Sequence, residues 1–228
     1  MSIADNLRVI HARIERAACK AGRDPAEVRL VVVSKTRPAA IIDEAARSGQ
    51  RLFGENYVQE LVAKAGEVTE PSEWHFIGHL QSNKVRQIAG LVTMIHSLDR
   101  LSLAQEIDRQ WGKLGRLCDL LIAVNIACEG TKCGTTATAV FDLVRQVSLL
   151  PHVRVRGLMT MPPFFDDPEG ARPYFRELRR IAEEIAAENF PRVEMTELSM
   201  GMSGDFEVAI AEGATLVRVG SAIFGERV

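Results

Sequence analysis

Arg29-Leu30-Val31-Val32-Val33-Ser34-Lys35 is the stretch whose reading decides the fold. A short apolar run rich in Leu and Val is the pattern of a strand buried on both faces, as in a parallel sheet. Its polar end carries Lys35. A lysine at the carboxyl end of such a strand can point its amine into the mouth of the fold. Partial desolvation there disfavours the ammonium and frees a neutral nucleophile able to form a Schiff base with an aldehyde. The plain alternative is a solvated lysine that marks the end of the strand.

Working outward, the chain opens with an amphipathic helix. Leu7, Ile10, Ile14, Ala17, Ala18 and Ala21 share one face, and Gly22 follows as a helix stop. Apolar, strand-like runs then recur at 30–34, 51–54, 74–78, 92–97, 120–126, 153–161, 197–202 and 215–224. Helical patterns separate most of them. Pro38 near the first turn and Gly49 beyond the last bracket one helix. Asp99 is placed to cap the helix holding Leu103, Ile107 and Trp111. Tyr174, Leu178, Ile181 and Ile185 form the apolar side of another, and Asp205 starts a further one that ends at Gly213. Alternating strands and helices imply parallel pairing with right-handed crossovers. Eight such units predict an α/β fold of the (β/α)8 TIM barrel kind, with an extra N-terminal helix. An open doubly wound sheet is the alternative, but no G-x-G-x-x-G follows the first strand. The absence of a linker, a low-complexity tract or a short repeat makes residues 1–228 one expected domain.

Composition narrows the function classes. The chain has 228 residues and is 46% hydrophobic, enough for a sizeable core. Lys and Arg total 28 against 30 Asp and Glu, so the net charge of -2 gives no electrostatic footprint for nucleic acid or an anionic membrane. Cys19, Cys118, Cys128 and Cys133 form no C-x-x-C pair, and free thiols in a reducing compartment are expected. The first residues lack a signal-peptide pattern, and no apolar run approaches the ~20 residues needed to span a bilayer. The expectation is a cytoplasmic protein.

In a barrel the active groups lie on the loops after the strands. Lys35 ends the first strand, and Glu55-Asn56 the second. Ser203-Gly204 follow the seventh strand and lead straight into a helix; Gly220-Ser221 follow the eighth. Free backbone N–H groups, serine hydroxyls and closely approaching glycine backbone suit a phosphate at both places. Arg218 lies within Leu216-Val217-Arg218-Val219-Gly220, where a buried guanidinium needs a partner. It is either salt-bridged inside the barrel, to a glutamate such as Glu55, or a donor to a ligand ring. His75 and His79 have metal-like spacing, but on a strand their rings would stand roughly 13 Å apart at ~3.3 Å per residue, so no metal site is expected. A redox role for Cys128 and Cys133 is the weaker reading; free cysteines are expected.

These motifs together resemble one family. Val32-Val33-Ser34-Lys35-Thr36, Phe53-Gly54-Glu55-Asn56, Trp74-His75-Phe76-Ile77-Gly78, Leu80-Gln81-Ser82-Asn83-Lys84, Gly157-Leu158-Met159-Thr160-Met161, Leu198-Ser199-Met200-Gly201-Met202-Ser203 and Val217-Arg218-Val219-Gly220 are similar, in order, to the pyridoxal phosphate homeostasis proteins. That family resembles the barrel domain of alanine racemase. The resemblance implies that Lys35 carries pyridoxal 5′-phosphate (PLP) as a Schiff base. It implies that Ser203, Gly220 and Ser221 hold the phosphate, that Arg218 faces the pyridine nitrogen and that Asn56 lies beside the ring. Ser221 stands where many relatives of that family have threonine or another residue, and it retains a hydroxyl.

The same resemblance frames the activity. PLP enzymes draw carbanion charge into the ring, and an acid that keeps the pyridine nitrogen protonated strengthens that sink. Arginine cannot accept that proton. A two-base racemase also needs a second acid/base, which alanine racemase takes as a tyrosine from its other domain; here the tyrosines are Tyr57 and Tyr174. The expectation is a non-catalytic carrier that holds PLP, serves vitamin B6 and amino-acid balance, and hands PLP to apoenzymes. It would be a monomer or weak dimer. A slow PLP-dependent racemase and an aldolase using Lys35 on a sugar phosphate are the alternatives.

Overall fold

The computed structural model describes residues 2–127 and 134–225. Its strands are β1 (Arg29–Val33), β2 (Leu52–Glu55), β3 (Glu73–Phe76), β4 (Met94–Leu98), β5 (Cys118–Ala123), β6 (Val153–Met159), β7 (Val193–Ser199) and β8 (Leu216–Val219). All pair in parallel, and β8 pairs back onto β1, so the sheet closes as an eight-stranded barrel. Nine helices surround it among the described residues: α1 (Ile3–Lys20), α2 (Ala39–Arg47), α3 (Val58–Glu67), α4 (Val85–Ile88), α5 (Leu101–Lys113), α6 (Val140–Val147), α7 (Arg172–Ala187), α8 (Phe206–Ala211) and α9 (Ser221–Phe224). The expected (β/α)8 barrel with one extra N-terminal helix is the fold observed. No helix among the described residues is long and apolar enough to cross a membrane.

Strand alternation divides the buried side chains into two cores. Val32, Phe53, Phe76, Ile95 and Val219 face outward and pack with helix residues such as Ile42, Leu61, Trp111 and Phe175. A smaller inner set, Val31, Leu52, Met94, Leu121, Ala123, Met159 and Leu216, fills the barrel itself. Arg218 pairs in register with Val31, and His75 with Met94, so both belong to the inner layer.

The N-terminal helix follows directly from its sequence. Ser2 and Asp5 form a reciprocal capping box, and Leu7, Ile10, Ile14 and Ala18 are the buried stripe. That stripe lies against the last two helices of the barrel. Arg13 sits 4.6 Å from the Phe206 ring centroid, and Asn6 Nδ2 donates to Ile223 O at 2.8 Å. Arg23 Nη1 donates to the carbonyls of Ile210 and Ala214 at 2.9 and 2.8 Å. The added helix therefore braces α8 and α9.

Some local expectations change. Asp99 does not cap α5; Arg100 occupies that position and draws the Asp99 carboxylate into an ion pair at 2.6 Å. Asp205 stands at the start of α8, but its carboxylate accepts from Met202 N at 2.6 Å instead of from the helix. Phe175, not Tyr174, is the buried aromatic of α7; Tyr174 stacks on Phe165 with centroids 5.8 Å apart. β7 begins at Val193 rather than 197, because its first half alternates half-buried Val193 and Met195 with exposed Glu194 and Thr196. β8 stops at Val219, since Gly220 opens α9. Cys128 and Cys133 lie outside the described residues.

Candidate functional site

The residues singled out from sequence gather on one arc of the barrel. Strands β7, β8, β1 and β2 are consecutive around the closed sheet. Ser203, Gly220-Ser221, Lys35 and Asn56 each lie just past the carboxyl end of one of them. Contacts join these loops. The Ser221 and Ser203 hydroxyls are 3.2 Å apart. A Cβ at Gly220 would stand 3.0 Å from Val33 O, so this turn lies close against the end of β1. Two residues beyond Lys35, Arg37 Nη2 donates to Gly225 O at 2.6 Å, and its guanidinium lies 5.9 Å from the Phe224 ring. The loop carrying Lys35 is thus fastened to the end of α9.

The amides ahead of both short helices point out of the helical ladder. Hydrogen bonding at the start of α8 begins with Asp205 N and Phe206 N on Met202 O, and in α9 with Ile223 N on Gly220 O. Residues 203–204 and 221–222 precede those bonds, as first-turn N–H groups do. Asn56, half-buried past β2, keeps its Oδ1 buried without a protein partner. A Cβ at Gly78 would lie 2.1 Å from Asn56 O, so Gly78 lets the β3 loop press against the Asn56 backbone.

Lys35 is held by the chain on both sides. The turn places Thr36 at φ 63, a left-handed conformation that a β-branched residue avoids. Glu60 Oε2 accepts from Thr36 N at 2.7 Å and from Lys64 Nζ at 2.7 Å. Lys64, almost wholly buried, also donates to Ser34 O at 2.9 Å and Glu55 Oε1 at 2.7 Å. Ser34 Oγ donates to the same Glu55 oxygen at 2.7 Å. Burial pushes the Glu55 carboxyl above its ordinary range, against the pull of Lys64 and Ser34. The ammonium of Lys64 and the carboxylate of Glu60 thereby hold the residues before and after Lys35.

Glu55 is consequently not the partner of Arg218. Arg218 Nη1 donates to Ser199 Oγ at 2.6 Å and Nη2 to Thr160 O at 3.0 Å, with only 5% of the residue exposed. Burial lowers the guanidinium to about 10, with Asp205 the one carboxylate pulling the other way. Asp205 itself is raised by burial. Ser199 Oγ lies 2.9 Å from His96 Nδ1, whose Nε2 is 2.8 Å from His75 Nδ1. Burial holds His96 well below the ordinary histidine range and lowers His75 as well.

Lys64, Glu60, Thr160, Ser199 and His96 were not singled out from sequence. A signal existed for two of them. His96 interrupts the apolar run 92–97 and Ser199 the run 197–202, each on the face that alternation assigns to the interior. Lys64 and Glu60 gave none, being ordinary helix charges at i, i+4 spacing. His79, by contrast, is exposed in the loop past β3, 3.7 Å from Asp99. No group of three His, Cys, Asp or Glu converges among the described residues.

The comparisons agree on one class. The model of the alanine racemase N-terminal domain matches residues 3–228. The pyridoxal phosphate homeostasis protein of Aquifex aeolicus is 45% identical over all of this chain and 99% of its own length. The protein of that name from Escherichia coli K12 is 43% identical, over 99% and 97%. PipY of Synechococcus elongatus PCC7942, solved with PLP bound, superposes with a TM-score of 0.87 at 38% identity, covering 98% of this chain and 100% of that one. The chain belongs to the pyridoxal phosphate homeostasis protein family.

Proposed function

We propose that this chain holds pyridoxal 5′-phosphate on Lys35 and serves intracellular PLP homeostasis as a non-catalytic carrier. The observation that carries the reading is the arc of neighbouring strand tips, where the Lys35 loop is tied to α9 beside the paired Ser203 and Ser221 hydroxyls. When bound, PLP supplies an aldehyde that condenses with an amine, losing one water. Lys35 provides that amine. Ser203, Gly220 and Ser221, with the amides opening α8 and α9, take the phosphate. The Asn56 Oδ1 left without a protein partner is a polar group waiting for a ligand, which supports a place beside the ring.

Arg218 would face the pyridine nitrogen. A guanidinium offers only N–H donors, so it suits an unprotonated ring nitrogen and weakens the ring as an electron sink. Tyr174 is occupied against Phe165, and Tyr57 is more than half exposed at the start of α3. We read residues 1–228 as one PLP-binding unit, working in the cytoplasm as a monomer or weak dimer, with PLP-dependent apoenzymes as recipients.

An absorption titration tests the reading. Purified protein mixed with PLP should develop a yellow band that is absent in Lys35→Ala. A wild type that stays colourless and ignores PLP would overturn it. Steady turnover of a pure D- or L-amino acid, lost in Lys35→Ala, would make the protein a racemase instead.

A further inference from the structure

Arg218 is a buried cation without a carboxylate in hydrogen-bond contact, which is costly unless its environment compensates it. What it touches is a line of polar side chains through the interior of the barrel. Arg218 Nη1 meets Ser199 Oγ, Ser199 meets His96, His96 meets His75, and His75 Nε2 lies 3.4 Å from Glu73 Oε1. Glu73 is the first residue of β3, at the amino end of the barrel, opposite the mouth. Its carboxyl is depressed to about 2, foremost by His75.

The chemistry of the two ends sets the direction of every bond. Glu73 Oε1 stands 3.4 Å from His75 Nε2, and a carboxylate that only accepts favours the His75 tautomer with Nε2–H towards it. A neutral His75 then has a lone pair on Nδ1, which accepts from His96 Nε2–H. Neutral His96 in turn accepts on Nδ1 from the Ser199 hydroxyl. Ser199 oxygen is left to accept from Arg218, which can only donate. No position conflicts, and both imidazoles are neutral, as their burial favours. Hydrogen bonds aligned donor to acceptor polarise one another, so each strengthens the next.

We propose that Ser199, His96 and His75 form a directional hydrogen-bond chain that fixes the Arg218 guanidinium and, through the 3.4 Å contact of His75 Nε2 with Glu73 Oε1, couples it to a carboxylate at the opposite end of the barrel. These are positioning residues for the group at the mouth. Through them, Glu73 sets how firmly Arg218 is held and how strongly it donates to what lies above it. The effect on cofactor rests on the PLP reading above; the chain itself does not.

The first test needs no cofactor. In protein labelled with 15N-histidine, His75 and His96 should both show a protonated Nε2 and a bare Nδ1, with scalar coupling across the bond between His96 Nε2 and His75 Nδ1. Either ring in the opposite tautomer, or a missing coupling, overturns the chain. The second test reads PLP release and the visible spectrum of loaded protein. His96→Phe, which cuts the chain, should release PLP about ten-fold faster, the equivalent of one buried hydrogen bond. His96→Asn, whose Oδ1 can stand near the lost Nδ1, should recover part of that. Should His96→Phe not fold, Glu73→Gln decides: a half-exposed change at the far end should still shift the band and speed release about two-fold. Glu73→Gln release and spectrum identical to wild type would refute the coupling. Failure of wild type to load PLP would refute the proposed function and leave the tautomer test standing.

Discussion

Two buried polar networks flank the mouth of this barrel, and they are built on opposite plans. The one behind Lys35 is ionic. Lys64, Glu55 and Glu60 crowd together between β2 and α3, outside the strands, and grip the backbone at Ser34 and Thr36. The one beneath Arg218 is neutral along its length. Ser199, His96 and His75 run through the inner layer and reach a charge only at Glu73. An ionic cluster has strength but fails as a unit, because removing one charge strands the others. A neutral chain contributes less to stability and more to orientation, since each hydrogen bond dictates the next. The first suits holding a strained turn, and the second suits aiming a cation.

Breaking each network should expose that contrast. Lys64→Met leaves the buried Glu55 carboxylate without its cation and should cost about 3–5 kcal/mol in denaturant unfolding. The pair Glu55→Leu with Lys64→Met should recover most of that loss, and a double variant as damaged as the single one would show that the charges are not coupled. Ser199→Ala touches the neutral chain, orphaning a donor of Arg218, and should cost about 1–3 kcal/mol by the same measurement.

Acid should separate the networks further. His96 and His75 have depressed values in the folded protein, so the unfolded chain binds their protons more readily. Their contribution is complete above the ordinary value of 6.5 and is lost as pH falls below it towards their folded values. Glu73 acts lower: its contribution is present above 4.5 and disappears as pH falls towards about 2. The charges surrounding the two rings are Glu73, Glu197, Arg29 and Arg218. Stability measured against pH should therefore begin to fall below 6.5, and a profile flat from 7 to 5 would contradict neutral buried rings. The smallest effect is expected at Thr36→Gly. Relief of the φ 63 strain and the added chain entropy oppose each other, so stability should change by about 1 kcal/mol or less. A loss above roughly 2 kcal/mol would show that the turn is not strained.

Much of this was legible in the sequence. The apolar run 30–34 and its seven successors carry the strand order, and eight alternating units favour closure. Lys35, Asn56, Ser203 and Gly220-Ser221 fall at strand ends, where a barrel carries its active groups, and the family resemblance supplies their roles. Arg218 was recognisable as a buried cation, but its partner was not. Glu55 was the counter-charge suggested from sequence, yet alternation turns it outward, away from the inner layer of Arg218. Its real partner, Lys64, looks like any solvated helix lysine until α3 packs over it. The His75–His96 contact is a cross-strand meeting of two residues whose register no local pattern specifies.

The central claim is that Lys35 and the tips of β7 and β8 serve one PLP molecule. Borohydride reduction of PLP-loaded protein, followed by peptide mass mapping, tests it most directly. The account predicts a pyridoxyl phosphate mass on the peptide containing Lys35, retained in Arg218→Lys and sharply reduced when Ser203 and Ser221 are both changed to Ala. Label on other lysines with none on Lys35, or full labelling of Lys35 in the double serine variant at limiting PLP, would contradict it.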